Sequence, residues 1–91
     1  MITAIVLIQT EQGRTNDVAE ILVDLTEVSE VFSVGGSYDL VAILRVKEYE
    51  EIAKAVTEAM AAIDGIDKTE TLPAFKVYSR HDLEAVFSVG M

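Results

Sequence analysis

Near the middle of the chain, Val34-Gly35-Gly36-Ser37-Tyr38-Asp39-Leu40 sets two glycines, a hydroxyl, a phenol and a carboxylate between two apolar runs. Those types at that spacing suit a small zwitterion. Glycines lack a Cβ, so they accept positive φ and leave backbone N–H groups open to an anion. Tyr38 offers a wall, Ser37 a hydroxyl, and Asp39 a carboxylate for an ammonium group. The same segment also reads as a short hairpin loop in which Gly35 and Gly36 make the turn, Tyr38 packs and Asp39 bonds nearby backbone. From these residues alone both readings stand.

Other chemistry-bearing groups are sparse. His81 is the only histidine, lies beside Asp82, and has no nucleophile or second histidine placed near it by spacing, so it reads as a solvent-exposed side chain. Glu48, Glu50 and Glu51 are closely spaced acids. At a helix start they complement the dipole, and a metal is the weaker reading. No phosphate loop, zinc motif or nucleophile elbow is present.

The 91 residues carry a formal charge of -9, with 16 acids against 7 bases. The bases, Arg14, Arg45, Lys47, Lys54, Lys68, Lys76 and Arg80, are scattered and form no stripe. Such a balance repels phosphate backbones and excludes direct nucleic-acid binding as an expectation. Apolar residues make up 51% of the chain, more than one small domain hides, so association is expected. There is no cysteine, which removes disulfides and thiolate chemistry and agrees with a reducing compartment. The apolar run from Ile2 to Ile8 is too short for a bilayer and lacks a basic flank, so the expected setting is cytoplasmic, with no membrane partner.

The elements that must position the glycine turn follow from periodicity. Residues 1–10 are apolar on both parities, which marks a strand covered on both faces and central in its sheet. Thr15, Asn16 or Asp17 is placed to cap a helix whose stripe is Val18, Ile21, Leu22 and Leu25. From Val28 the period is two, giving a strand into the turn, and Leu40 to Lys47 gives the strand out of it, so the two should form a hairpin. Tyr49, Ile52, Val56, Ala59, Met60 and Ile63 form the stripe of a second helix, with Tyr49 and Met60 read as core and Gly65 at its C′ position. A last strand runs roughly from Ile66 to Ser79, and Pro73 within it argues for an edge or a bulge.

The order strand, helix, strand, strand, helix, strand predicts an α+β, ferredoxin-like βαββαβ sandwich: a four-stranded antiparallel sheet with both helices on one face and the first and third strands in the middle. The helix-free face, carrying Ile5, Leu7, Val41, Ile43 and also Val31 and Val77, is too apolar for water, and dimerisation through it is expected, in preference to a monomer whose tail covers it. In the tail, Val86-Phe87-Ser88-Val89-Gly90 repeats Val31-Phe32-Ser33-Val34-Gly35; both copies are β-prone, so the tail is a candidate to pair with an edge strand.

The element order, with Gly36-Ser37-Tyr38-Asp39-Leu40 in the turn and Gly65-Ile66-Asp67-Lys68-Thr69-Glu70-Thr71 opening the last strand, resembles the effector-binding (RAM) domain of Lrp/AsnC transcription regulators. The resemblance covers about residues 2–79, taken as the domain 1–79, with a tail 80–91. It implies a dimeric α/β-barrel type of assembly, in which homodimers form octamer-like rings around amino-acid effectors, without cofactors and without catalysis. The family's N-terminal helix-turn-helix is expected to be missing, because residue 1 opens directly into the first strand. A stand-alone sensing domain working with itself or with full-length regulators is then implied.

Carried over by position, backbone N–H groups around Gly36 and Ser37 would take the effector's α-carboxylate, Asp39 its ammonium, and Tyr38 would wall the pocket. Thr69 and Thr71, from a neighbouring subunit, would add hydroxyls. Each threonine is equally well read as a plain strand residue, and small Ser37 leaves the effector's side chain open. A small dimeric enzyme, such as a cofactor-free monooxygenase or isomerase, is the alternative on the same architecture; it would have to draw on Tyr49, Tyr78 and His81.

Overall fold

The computed structural model describes residues 1–80. The expectations for His81, the repeated pentapeptide and the pairing of the tail fall outside the described residues. The elements run β1 (Ile2–Thr10), α1 (Thr15–Val23), β2 (Val28–Ser33), β3 (Leu40–Val46), α2 (Tyr49–Lys54) continued by a π-helical stretch (Ala55–Met60), and β4 (Ile66–Pro73). They build one antiparallel sheet of order β2-β3-β1-β4, so β1 and β3 are central, as their apolar patterns require. The alternation along β1 sorts the two faces: Ala4, Val6 and Ile8 are fully buried under the helices, while Ile5 and Leu7 are only partly covered on the other side.

The core lies between the sheet and the helices. Val18 and Leu22, one helical turn apart, lock α1 onto Ala4, Val6, Ile8, Ala42 and Leu44. Ile52, Ala55 and Met60 do the same for the second helix. Its π-helical stretch has i→i+5 bonding, which brings Ala55 and Met60 toward the core side together. Among the described residues no helix is long and apolar enough to cross a membrane.

Several local expectations are corrected. The N-cap of α1 is Arg14, without a side-chain cap bond; Thr15 is already the first helical residue, and its hydroxyl pairs with that of Thr10 at 2.7 Å. Tyr49 is 59% exposed: it is the first residue of α2 and points away from the sheet. Val31 faces the helices, because the pairing of β2 shifts between Val28 and Glu30, so that Val28 and Val31 share a face and Phe32 takes the open side. Gly65 does not cap a helix, since the helical segment ends at Met60; it is buried, with φ +103, ahead of β4. β4 is an edge strand and stops at Pro73, short of Ser79, with the Ala74 N–H still donating to the Thr3 carbonyl at 2.9 Å.

At the start of α2, the Glu51 carboxylate accepts the backbone N–H groups of Glu48 and Lys47, each at 2.8 Å. Those bonds, Glu48's first, hold its pKa below the ordinary 4.5. A depressed carboxylate stabilises the fold above its unfolded pKa, and that stabilisation is lost as pH falls through the folded value. Glu51→Gln should therefore melt below the wild type at neutral pH, with the gap closing as the pH drops below about 4.5. Thermal midpoints of both proteins across that range test this, and a pH-independent gap would contradict it.

Candidate functional site

The glycine turn, residues 34–39, is held at one end of the sheet by its flanks. Val34 N–H donates to the Asp39 carbonyl (3.0 Å) and Asp39 N–H to the Ile8 carbonyl (2.9 Å), so the turn is pinned both to itself and to the central strand β1. Gly36 has φ +110 and is the one position in the turn that requires glycine; Gly35 has no positive φ. A Cβ on Gly36 would meet nothing within 4 Å, so its backbone opens onto free space.

The Asp39 carboxylate reaches the end of β1. Its Oδ2 accepts the Thr10 N–H at 2.8 Å and the Thr10 hydroxyl at 3.2 Å, and neither bond falls on Oδ1. Within one chain Asp39 thus serves nearby backbone, and one oxygen is left for other work. Gln9 Nε2 donates to the Ser37 carbonyl at 3.1 Å, which fixes the crest of the turn. The Tyr38 hydroxyl donates to Glu70 Oε1 at 3.3 Å. Glu70 lies opposite Leu7, so Tyr38 and Glu70 stand on the helix-free side. Gln9, Thr10 and Glu70 belong to no motif in the turn; only the pairing register, with partners 28 to 32 residues apart, reveals them.

Thr69 and Thr71 are placed differently. They lie opposite Ile8 and Val6, both fully buried beneath the helices, so their side chains take the helix side of β4. One chain therefore brings Gly36, Ser37, Tyr38 and Asp39 together and sets the two threonines on the other face of the sheet. The candidates for the enzyme alternative do not gather either: Tyr49 starts α2, whereas Tyr78 is 74% exposed on the sheet side, 5.1 Å from Lys76 Nζ.

The segment before β4 is fixed with equal care. Arg14 Nη1 bonds Asp64 Oδ2 at 3.1 Å, and that hydrogen bond raises the guanidinium's pKa further above its ordinary value. Glu11 N–H donates to the Gly65 carbonyl at 2.8 Å. Among the described residues no group of three or more metal-ligating side chains forms. The open face carries a groove of about 660 Å³ lined by Thr3, Ile5, Phe32, Ile43, Val77 and Tyr78, at the end of the sheet away from the turn.

Comparison with known proteins agrees with this architecture. A family model for the Lrp/AsnC ligand binding domain matches residues 3–83. The HTH-type transcriptional regulator FL11 of Pyrococcus furiosus is 34% identical over 77 residues, covering 85% of this chain and 50% of that protein. The chain spans about half the length of the curated relatives it matches. The crystal structure of TTHA0845 from Thermus thermophilus has a TM-score of 0.83 at 45% identity, covering 88% of this chain and 100% of the other. The transcriptional regulator NMB0573 of Neisseria meningitidis, solved as an L-Met complex, shares the fold at a TM-score of 0.77 and 12% identity, over 87% of this chain and 53% of that one. With a glycine turn anchored at the end of a βαββαβ sheet and a family match over nearly the whole length, the chain belongs to the Lrp/AsnC ligand-binding domain family.

Proposed function

We propose that the chain is an amino-acid effector-sensing module that acts on transcription by changing assembly state, with itself or with full-length Lrp/AsnC-type regulators in the cytoplasm, and catalyses no reaction. The backbone around Gly36 and Ser37 takes the α-carboxylate, Asp39 the ammonium, and Tyr38 walls the pocket. Thr69 and Thr71 come from a neighbouring subunit. The observation that carries this reading is the split of the two motifs: Tyr38 stands on the helix-free side and Thr69 and Thr71 on the helix side, so a ligand touched by all three needs a second chain. Binding and assembly are then one event, and the effector shifts the population toward whichever assembly completes the pocket.

Two sheets packed through their open faces, and such dimers gathered into octamer-like rings, provide that second chain. Ile5, Leu7, Val41, Ile43 and Phe32 are the apolar surface for the dimer step. Ile43→Asp, a charge at the centre of that face, should give monomers by light scattering, with far-UV circular dichroism unchanged. A dimer surviving in Ile43→Asp would place the contact elsewhere.

The deciding experiment is a thermal-shift screen of the purified chain against the common L-amino acids, with light scattering on the same samples. A ligand of the native state raises the midpoint by mass action. A selective rise with a change in assembly mass, lost in Asp39→Ala, is the expected result. No rise with any amino acid would overturn the reading.

A further inference from the structure

Three separate connections meet in the short segment between β1 and α1, which neither motif contains. Thr10 donates its N–H and its hydroxyl to Asp39 Oδ2. Glu11 N–H donates to the Gly65 carbonyl, and Arg14 holds Asp64 through its side chain, with Nη2 also 3.4 Å from the Asp64 carbonyl. The glycine turn and the lead-in to β4 are thus tied to the same six residues, 10–15. We infer that Thr10 is a positioning residue for the effector turn, and that the 10–15 segment couples this turn to α1 and to the start of β4.

The direction of the hydrogen bonds makes the connection specific. A hydroxyl has one proton, and that of Thr10 goes to Asp39, so the Thr15 hydroxyl, 2.7 Å away, must be the donor to Thr10 Oγ1. A chain of hydroxyls therefore runs from the first residue of α1, through Thr10, to the carboxylate. With two donors on Oδ2, the carboxylate is fixed in rotation and Oδ1 has one orientation. A ligand ammonium taking Oδ1 meets a preorganised acceptor, and drawing on that carboxylate also bears on Thr10, Thr15 and the first turn of α1. Gly65 continues the connection, since its carbonyl is held by Glu11 and it sits so close to α1 that a Cβ there would lie 3.0 Å from Val18 Cγ2.

This inference rests on the effector-binding reading. The test is Thr10→Val, which keeps the shape and the N–H donor and removes only the hydroxyl, beside Thr10→Ser, which keeps the hydroxyl. Each is titrated by thermal shift with the best L-amino acid from the screen, and hydrogen exchange is followed with and without that amino acid. Losing a hydrogen bond to a charged group should weaken binding at least tenfold in Thr10→Val, with near wild-type affinity in Thr10→Ser. In the wild type the amino acid should slow exchange at the amides of Glu11 and Val18, and in Thr10→Val it should not. Equal affinity in Thr10→Val and wild type overturns the inference and leaves the sensing function standing. Failure of Thr10→Ser to restore binding overturns it as well. No amino acid shifting even the wild type overturns the function and this inference with it.

Discussion

Gly65→Ala should destabilise the fold by about 3 kcal/mol, the sum of a left-handed backbone costing roughly 1–2 kcal/mol and overpacking costing roughly 1–3 kcal/mol. Gly65 has φ +103, and a Cβ there would lie 3.0 Å from Val18 Cγ2 and 3.2 Å from Arg14 Cβ. Val18 cannot give way easily, because it is fully buried between α1 and the sheet. Arg14 is held by Asp64 and Asp17. The new methyl must push apart the contact between α1 and the lead-in to β4. For a domain of this size the thermal midpoint should fall by roughly 10–20 °C. Gly36→Ala is the comparison, since Gly36 has a similar φ of +110 but nothing within 4 Å of its Cβ position, and it should lose only the backbone part, roughly 1–2 kcal/mol. Equal losses at the two positions would mean that close packing at Gly65 contributes nothing.

The contrast between these two glycines bears on what a sequence can disclose. Both stand in short motifs and look alike in the chain. Only the fold shows that one is pressed against a helix while the other faces open space. The same division holds for the strands. The two-sided apolar pattern of β1 placed it in the middle of the sheet because each face of a central strand needs a cover, and the helices supply the cover of one face. The pairing shift in β2 between Val28 and Glu30 left no such trace, since an extra residue reverses the alternation without changing the composition, and Val31 moved to the helix side. Tyr49 sits at the right spacing for a core stripe, but a helix's first residue stands at the edge of the contact. Pro73 announced an edge, and β4 is an edge strand, with the Ala74 N–H still bonding the Thr3 carbonyl of β1 beyond the proline.

The candidate site was legible where it is local and hidden where it is not. The glycines, the phenol and the carboxylate of residues 35–39 advertise a polar turn by type alone. Their partners do not, because Gln9, Thr10 and Glu70 become neighbours of the turn only through the register of β1 with β3 and β4. Asp39 is the instructive residue. As a lone carboxylate it suggested both a ligand contact and a backbone anchor, and in the fold Oδ2 is taken by Thr10 while Oδ1 remains outside that pair of bonds. The two roles are compatible in one side chain because a carboxylate has two oxygens.

Gly36→Val should abolish the midpoint rise with amino acids while leaving the dimer intact, a loss of binding of about a hundredfold or more, comparable to the removal of charge-assisted hydrogen bonds of roughly 1.5–3 kcal/mol with added steric exclusion. The argument is one of access. At Gly36 the backbone is exposed, and the turn is held rigidly by Val34, Asp39, Ile8 and Gln9, so its N–H groups have a fixed direction. A branched side chain on that crest stands where a carboxylate must approach. It also adds backbone strain, so a fall in affinity alone would not separate blocked approach from a disturbed fold. Gly36→Ala makes that separation, because it meets the same positive φ of +110 with a single methyl in open space and no branched side chain over the crest. Both variants should lose about the same stability, roughly 1–3 kcal/mol. Only Gly36→Val should lose the response to amino acid. If Gly36→Ala loses it equally, strain and not access is the cause, and the glycine turn is then a structural corner whose neighbours, not its own backbone, hold the effector.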